Sequence, residues 1–402
     1  MTLTTVSLPR PHQGQRKILP LMRRFNVLSC GRRFGKTKLG IHRLIPPALE
    51  GKPVGWFAPT YKYLSEVWIE FVSRLHPVAA RISAQEKRIE LSTGGVVEFW
   101  SLRDNPDAGR SRRYQRVVID EAAKVANLEK AFHESIYPTL TDFQGGADFY
   151  STPKGHDFFW RAYEWGQSSD RPDWASFQLP TIENPYIKPE EIDAARNGLP
   201  TRVFEQEYLA TFLDDGGGVF QNVRGSVDQG RTANEPPQPG VSYSAGVDLA
   251  RIEDFTVITV LNASGRQVFH QRFNRISWER QVARIAEVAR QYRCPVYLDS
   301  TGIGDPVHES IRRAGVSVRP YTLTNASKEA LIDGLAIRLE HGGLRLLDNA
   351  QQTAELLAYQ YELTASRNVR MNAPEGMHDD CVIALALAAW GIQRTEKVRF
   401  IA

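Results

Sequence analysis

Apolar runs and amphipathic stretches alternate along the first part of the chain. Short apolar runs bounded by Gly, Pro, Asp or Ser are typical of buried strands, whereas apolar residues spaced three and four apart are typical of helices. These patterns predict strands at 26–29, 54–58, 88–91, 96–101, 116–119 and 148–151, and helices at 37–49 and 63–75. Strands that alternate with helices form a mainly parallel sheet covered by helices on both faces. The first part of the chain is therefore predicted to be an α/β domain.

A different pattern begins after residue 240. Three predicted strands, at 242–249, 256–262 and 267–273, follow one another without a helix between them. Helices and strands then alternate, with helices at 278–292 and 305–314, strands at 296–299 and 316–323, and a last helix at 379–392. Antiparallel strands followed by strand-helix units indicate a mixed α/β sheet. Stretches rich in Gly and Pro at 214–218 and 235–240 separate the two parts.

Composition narrows the class of protein. Lys and Arg exceed Asp and Glu by only 50 to 46, and 42% of the 402 residues are hydrophobic, which is typical of a globular protein. The longest apolar run, at 381–392, is shorter than the ~20 residues that span a bilayer, so no membrane partner is expected. The cysteines, Cys30, Cys294 and Cys381, are too far apart to suggest a disulfide framework or a zinc site.

One segment of the chain is strongly basic. Residues 1–49 contain ten Lys and Arg residues and no Asp or Glu. Such a segment attracts phosphate groups, although a run of charge is also typical of a solvated surface.

The predicted first strand runs into a loop that can bind phosphates. Residues 30–37 read Cys-Gly-Arg-Arg-Phe-Gly-Lys-Thr and are followed by a helix. In a P-loop of this order, backbone N–H groups cradle phosphates, the lysine (Lys36) reaches the β and γ phosphates and the hydroxyl of Thr37 binds Mg²⁺. Cys30 replaces the usual first glycine, and a glycine turn that caps a helix is the simpler alternative. The candidate phosphate-binding residues are Gly31, Arg32, Arg33, Gly35, Lys36 and Thr37.

Two later strands end in residues suited to nucleotide hydrolysis. The strand at 116–119 ends in Asp120 and Glu121, where the first carboxylate can hold Mg²⁺ and the second can polarise the attacking water. A helix cap is the alternative for this acidic pair. The strand at 148–151 ends in Ser151 and Thr152, whose hydroxyls could sense a γ phosphate, or which could belong to a plain turn. An arginine finger is expected among Arg103, Arg110, Arg112, Arg113 and Arg116, and the other arginines would contact DNA or solvent.

Carboxylates mark the strand and helix ends of the second part. Asp248 and Asp299 lie at the ends of two predicted strands, and Asp379 and Asp380 open the last helix. Hard oxygen ligands of this kind can gather two Mg²⁺ or Mn²⁺ ions for phosphodiester cleavage. Neighbouring helical residues point about 100° apart, so both helix aspartates need not be ligands, and an N-cap is the alternative for them. Asp254 is a weaker candidate for a metal ligand. The order of the acids, on two strands and then at the start of a helix, is the RNase H-like pattern.

Taken in order, these strings resemble the large subunit of tailed-bacteriophage terminases. The resemblance rests on residues 31–37, 118–123, 151–153 and 204–208, the last reading Phe-Glu-Gln-Glu-Tyr, and on Asp248, Asp299 and the string at 378–380. It covers nearly the whole chain. It implies an N-terminal P-loop ATPase with an additional-strand, RecA-like parallel sheet at 1–180, a lid or linker at 181–240 and a C-terminal RNase H-like nuclease at 241–402.

The resemblance also assigns roles. Lys36 and Thr37 would bind ATP and Mg²⁺, Asp120 would be the Walker B acid and Glu121 the catalytic glutamate. Ser151 and Thr152 match the coupling motif, Arg32 the loop arginine, and Arg110 a finger that acts in a neighbouring subunit. Gln13 or Gln15 would correspond to an adenine contact. The nuclease acids would be Asp248, Asp299 and either Asp379 or Asp380.

The function that the resemblance implies is viral genome packaging in the host cell cytoplasm. Several copies of the chain, five according to the resemblance, would form a ring on the portal protein. This ring would translocate double-stranded DNA into the procapsid. The chain would also cut concatemeric DNA, with a small terminase subunit selecting the site. One alternative is an ATP-dependent repair or restriction nuclease, but such a protein would usually need a second RecA-like domain, and residues 155–248 leave no room for one. The other alternative is a non-catalytic scaffold that binds ATP and DNA.

Overall fold

The structure is a computed structural model that describes residues 5–103, 107–213, 218–249, 255–301, 305–363, 369–374 and 378–399. The chain divides into two units, Met1–Asp214 and Asp215–Ala402. Among the described residues, no helix has the length and apolar character needed to cross a membrane.

An eight-stranded sheet forms the centre of the first unit. Its strands are β1 (Phe25–Cys30), β2 (Pro53–Ala58), β3 (Ala79–Ser83), β4 (Arg88–Leu91), β5 (Val96–Ser101), β6 (Arg116–Asp120), β7 (Gly146–Ser151) and β8 (Trp174–Leu179). They lie in the order β3-β4-β5-β2-β6-β7-β1-β8. The six strands from β5 to β8 in this order are parallel, and β4 is antiparallel to both of its neighbours. The carboxyl ends of β1, β6 and β7 therefore meet at one edge of the sheet.

Helices and hydrophobic clusters cover both faces of this sheet. The helices are α1 (Gln13–Ile18), α2 (Lys36–Leu49), α3 (Tyr61–Leu75), α4 (Leu128–Lys130), α5 (Phe158–Gln167), α6 (Pro189–Gly198) and α7 (Thr201–Glu207). One cluster packs α2 and α3 against the sheet around Trp56 and Phe71, and another packs α5 and the residues after β6 around Phe132 and Phe149. Strand β1 is buried along its whole length because both faces of the sheet are covered, and its two polar residues, Asn26 and Ser29, are hydrogen-bonded.

The predicted strands and helices of the first part are all present. The sheet also contains β3 and β8, which were not predicted. Both lie at the outer edges of the sheet, and part of each strand is exposed, so neither carries a continuous apolar run.

A five-stranded mixed sheet forms the second unit. Its strands are β9 (Tyr243–Asp248), β10 (Thr256–Asn262), β11 (Gln267–Phe273), β12 (Val296–Asp299) and β13 (Val318–Tyr321), in the order β11-β10-β9-β12-β13. The pairs β11/β10 and β10/β9 are antiparallel, whereas β9/β12 and β12/β13 are parallel. The predicted mixed α/β fold is confirmed. A separate hairpin, β14 (Gln360–Leu363) and β15 (Val369–Asn372), was not predicted.

A buried apolar helix packs on the middle of this sheet. The helices of the second unit are α8 (Val223–Ser226), α9 (Trp278–Tyr292), α10 (Asp305–Arg313), α11 (Asn325–Glu340), α12 (Ala350–Ala358) and α13 (Asp380–Arg399). Gly246 of β9 lies so close to α13 that a Cβ there would collide with the backbone at Ala384 and Ala388. This close approach brings the start of α13 beside the ends of β9 and β12.

The segment before β9 packs within the second unit. Val219, Phe220 and Val223 are buried in the hydrophobic cluster that contains α11 and α13, and the amide of Asp228 donates to the carbonyl of Leu346. The domain boundaries 1–180, 181–240 and 241–402 stay a prediction.

Candidate functional site

The loop between β1 and α2 has the backbone of a phosphate-binding loop. Gly35 has a φ of +103° and Arg33 one of +62°, the left-handed region that favours glycine. A Cβ at Gly31 would lie 2.5 Å from both Thr181 Oγ1 and the Tyr208 carbonyl oxygen, so glycine is required there too. Cys30 points into the core, and its burial raises the thiol pKa to about 12. The cysteine at the usual glycine position is therefore a neutral packing residue.

Side chains at the start of the chain hold two carbonyl groups of this loop. A ring nitrogen of His12 (Nε2) lies 2.8 Å from the Phe34 oxygen, and Gln15 Nε2 donates to the Gly35 oxygen at 3.0 Å. Both residues are buried. Gln15 thus contacts the loop, whereas Gln13 is exposed.

The segment after β8 holds the other side of the loop. Thr181 Oγ1 donates to the Arg32 oxygen at 2.7 Å, and Asn184 Nδ2 donates to the Arg33 oxygen at 2.6 Å. These carbonyl oxygens of the loop are hydrogen-bonded to side chains outside it. The positive N-terminal end of α2 can therefore attract anions. Arg32 also forms an ion pair with Glu207 of the Phe-Glu-Gln-Glu-Tyr string, and its amide donates to the Glu207 carbonyl.

Lys36 lies at the meeting point of three predicted motifs. Its ammonium is 3.2 Å from Thr152 Oγ1, after β7, and 3.4 Å from Glu121 Oε1, after β6. Ser151 Oγ accepts a hydrogen bond from the Ala123 amide at 3.2 Å, which links the ends of β6 and β7. The phosphate loop, the acidic strand end and the hydroxyl pair are thus in contact. Thr37 is the next residue of α2.

The two carboxylates at the end of β6, Asp120 and Glu121, have opposite electrostatic environments. Burial and the charge of Glu121 raise the pKa of Asp120 from 3.8 to about 7. Burial also acts to raise the pKa of Glu121, but the ammonium groups of Lys36 and Lys124 outweigh it and hold that pKa below its usual value. Glu121 has a φ of +50°, and its amide donates to Asp120 Oδ1 at 3.1 Å. Asp120 is suited to hold a cation that favours its charged form, and Glu121 is ionised.

The arginines near this site have different partners. Arg116 is bound to the buried carboxylate of Asp148, which Arg43 also contacts. The remaining pairs are Arg112 with Glu98, Arg113 with Asp142 and Arg110 with Asp107. The Arg110 side chain is 54% exposed and paired at 3.1 Å with an acid of its own loop, so it remains accessible to a neighbouring molecule.

The four predicted acids of the second unit lie close enough to repel one another. Asp248 ends β9, Asp299 ends the adjacent parallel strand β12, and Asp380 begins α13, directly after Asp379. Burial raises the pKa of Asp248 well above its usual value, and the charges of Asp380, Asp379 and Asp299 raise it further. A cation would relieve this repulsion, and oxygen ligands of this kind suit Mg²⁺ or Mn²⁺. These acids are therefore of the chemical type that binds a divalent metal.

Protein groups contact three of these carboxylates. Lys328 Nζ lies 3.1 Å from Asp379 Oδ2, the Thr301 amide donates to Asp299 Oδ1 at 2.8 Å, and Arg272 lies 3.8 Å from Asp380 Oδ2. The chemistry of these acids suits a divalent metal, but within the described ranges no three His, Cys, Asp or Glu side chains are gathered closely enough to hold one ion. Asp254 lies outside the described residues.

Three charged residues at these sites were missed from the sequence. Lys124 and Lys328 each pair with a candidate catalytic acid, and Glu207 pairs with the loop arginine. Glu207 lies in a string that was noticed without a role being assigned. Lys124 follows Glu121 by three residues, a spacing that could have indicated the pair.

The known proteins to which this chain is similar include large terminase subunits. The chain is 28% identical to the large terminase subunit of Thermus virus P23-45 over 94% of its own length and 87% of that protein. The same values hold for the large terminase subunit of Thermus phage G20c. The chain is thus similar to terminase large subunits over nearly its whole length, as its motifs imply. No protein-family model matches it.

A solved large terminase supports the fold. This large terminase, from a thermophilic bacteriophage, is 13% identical and has a TM-score of 0.53, over 96% of this chain and 99% of that one. The fold predicted from the sequence, a P-loop ATPase fold followed by a mixed α/β nuclease fold, is confirmed. The similarity to large terminase subunits agrees with the predicted enzyme class, an ATPase joined to a nuclease.

Proposed function

We propose that the first unit hydrolyses ATP. Gly31, Arg32, Arg33 and Gly35 would surround the phosphates, with Lys36 and Thr37 at the start of α2. The contact of Lys36 with both Glu121 and Thr152 carries this proposal, because it joins a phosphate-binding cation to a candidate base. Asp120 would hold Mg²⁺, which supplies charge neutralisation at the transferring phosphoryl group.

Each remaining residue of the ATP site would have one task. Glu121 would orient and deprotonate the attacking water. Ser151 and Thr152 would report the state of the γ phosphate to β6, through the bond from the Ala123 amide to Ser151. Arg110, which is exposed, would stabilise developing charge in the site of an adjacent subunit.

The second unit would cut DNA with divalent metal. Asp248, Asp299 and one or both of Asp379 and Asp380 would hold two Mg²⁺ or Mn²⁺ ions, which activate water and stabilise the leaving oxygen when bound. The raised pKa of Asp248 supports this assignment, because the clustered acids need a cation to remain ionised together. Lys328 would supply positive charge at Asp379 before metal binds.

Together these activities would package a viral genome. ATP hydrolysis would drive double-stranded DNA into the procapsid, and the nuclease would cut concatemeric DNA at the start and end of packaging. The partners would be the portal protein and a small terminase subunit, with several copies, five in the proposed ring, at the portal. This work would take place in the host cell cytoplasm, and the chain would not remain in the mature virion.

Hydrolysis of ATP tests the first activity. Glu121→Gln should abolish turnover stimulated by DNA while ATP still binds, because the amide cannot accept the proton from water. Glu129→Gln is the matched control, since Glu129 is an exposed partner of Arg161. Turnover of the Glu121→Gln chain at the wild-type rate would refute the assignment.

Nicking of supercoiled plasmid tests the second activity. Asp299→Asn should remove cutting that depends on Mg²⁺ or Mn²⁺ and leave ATP hydrolysis intact, because the substitution removes a charged ligand and keeps the side-chain shape. Asp348→Asn is the control in the same unit. The Asp348 carboxylate accepts a hydrogen bond from the Gly230 amide. Persistent cutting by pure Asp299→Asn protein would place the nuclease elsewhere.

A further inference from the structure

A basic cleft lies beside the candidate base, at the carboxyl ends of β2, β5 and β6. Its volume is about 780 Å³, and its lining includes the residues that directly follow β2 and β5 and, after β6, the segment that begins at Lys124. Four cations line it, namely Arg103, Arg110, Lys124 and Lys130, together with the acids Asp107 and Glu134. The excess of positive charge and the ligand-sized volume suit an anion.

Lys124 belongs both to the cleft and to the ATP site. Its ammonium is 2.7 Å from Glu121 Oε2 and 5.2 Å from the centre of the Tyr63 ring, another residue of the cleft. The side chain is 41% exposed. Lys36 approaches the other oxygen of Glu121 at 3.4 Å and is largely buried. The two oxygens of Glu121 are thus each paired with a lysine, and of these two lysines Lys124 lines the cleft.

We propose that this cleft binds a phosphodiester of the DNA backbone and that Lys124 is a positioning residue that links DNA binding to Glu121. The inference rests on the proposed ATPase function. A phosphate in the cleft competes with Glu121 for the ammonium of Lys124. Once that pair weakens, Glu121 is free to turn toward the attacking water. DNA binding and ATP hydrolysis are coupled in this way without recognition of base sequence, because the contact is to phosphate.

Steady-state ATP hydrolysis by the full chain, with and without linear double-stranded DNA, tests the proposal. Lys124→Met should raise the rate without DNA by about two- to fivefold, the range that partly exposed ion pairs support. The stimulation by DNA should fall by the same factor. The change should appear in kcat rather than in KM for ATP, since Lys124 lines the cleft and not the phosphate loop. Lys124→Arg keeps the cation and should retain most of the stimulation.

Lys52→Met is the matched control. The Lys52 ammonium also lies over an aromatic ring, 5.4 Å from the centre of Phe143, but Lys52 precedes β2 at the opposite edge of the sheet. This variant should keep the wild-type ratio of stimulated to unstimulated rate. A Lys124→Met chain with an unstimulated rate at or below wild type and an unchanged ratio would overturn the proposal.

A measurement on the wild-type chain covers the case in which the variant does not fold. Acylation of Lys124 by an amine-reactive reagent, followed by mass spectrometry, should fall when DNA is added, whereas acylation of Lys52 should not. Unchanged acylation of Lys124 on addition of DNA would overturn the proposal. The proposal would also be overturned if the rate of ATP hydrolysis per chain rose with protein concentration in the absence of DNA and Lys124→Met abolished that rise. The second result would mean that another copy of the chain fills the cleft. A wild-type chain without ATPase activity would instead refute the proposed function.

Discussion

Neutralising Asp120 should stabilise the protein in the absence of nucleotide. The side chain is buried, and burial with the adjacent Glu121 charge raises its pKa from 3.8 to about 7. Asn has the shape of Asp, and its side-chain oxygen can still accept the hydrogen bond from the Glu121 amide. Asp120→Asn therefore removes the ionisable group and changes little else.

The sign and size of the effect follow from proton linkage. Because the folded-state pKa is raised, the folded chain binds the proton more tightly than the unfolded chain does. Stability is therefore lost as the pH rises from 3.8 to about 7, and the loss is complete above that value. A shift of about three pKa units corresponds to about 4 kcal/mol in the free energy of unfolding. Between about pH 5 and about pH 8, the advantage of Asp120→Asn over wild type should grow by roughly 2 to 3 kcal/mol.

Urea unfolding followed by tryptophan fluorescence measures this difference. Most of the signal comes from the first unit, which contains Trp56, Trp68, Trp100, Trp160, Trp165 and Trp174. Both proteins are measured at the two pH values, so contributions from all other groups cancel in the difference. An advantage of equal size at both pH values would refute the reasoning. Adding Mg²⁺ and ATP should narrow the gap, because a bound cation stabilises the charged carboxylate of the wild type.

Two further predictions concern the second unit. Gly246→Ala should destabilise it by several kcal/mol, on the order of other severe packing defects, because the new Cβ would collide with α13; a thermal unfolding midpoint equal to that of wild type would contradict this close approach. Burial and Arg272 lower the pKa of His270 from 6.5 to about 4, so its contribution to stability should be lost as the pH falls through this window. His270→Gln should flatten that part of the pH profile of unfolding, and an unchanged profile would count against a buried neutral histidine.

Periodicity predicted the elements that have one clear burial pattern. The strands at 256–262, 267–273 and 296–299 and the helix at 278–292 have the predicted bounds, because each carries a continuous apolar run or a single apolar face. Strands β3 and β8 escaped prediction because they are edge strands, whose pairing depends on neighbours that local sequence does not reveal.

The proximity of several candidate site residues follows from the local sequence. Lys36, Glu121 and Thr152 each follow a strand, and parallel strands place such ends together, so the structure brings these residues into contact. Their roles stay a prediction. The contacts around these residues are of another kind. Thr181 reaches the Arg32 carbonyl across 149 residues of chain, and nothing in the spacing of either residue reveals the other.

The groups that hold the phosphate loop also constrain the order of events during synthesis. The loop is translated early, but its partners Thr181, Asn184 and Glu207 come far later in the chain. Ser29, just before the loop, donates to the carbonyl of Ala210. Contacts of such long sequence separation slow folding, because the intervening chain must be closed into a loop before they form. A nascent chain therefore cannot complete the contacts that hold this loop until residue 210 has left the ribosome, by which point nearly the whole first unit has been made.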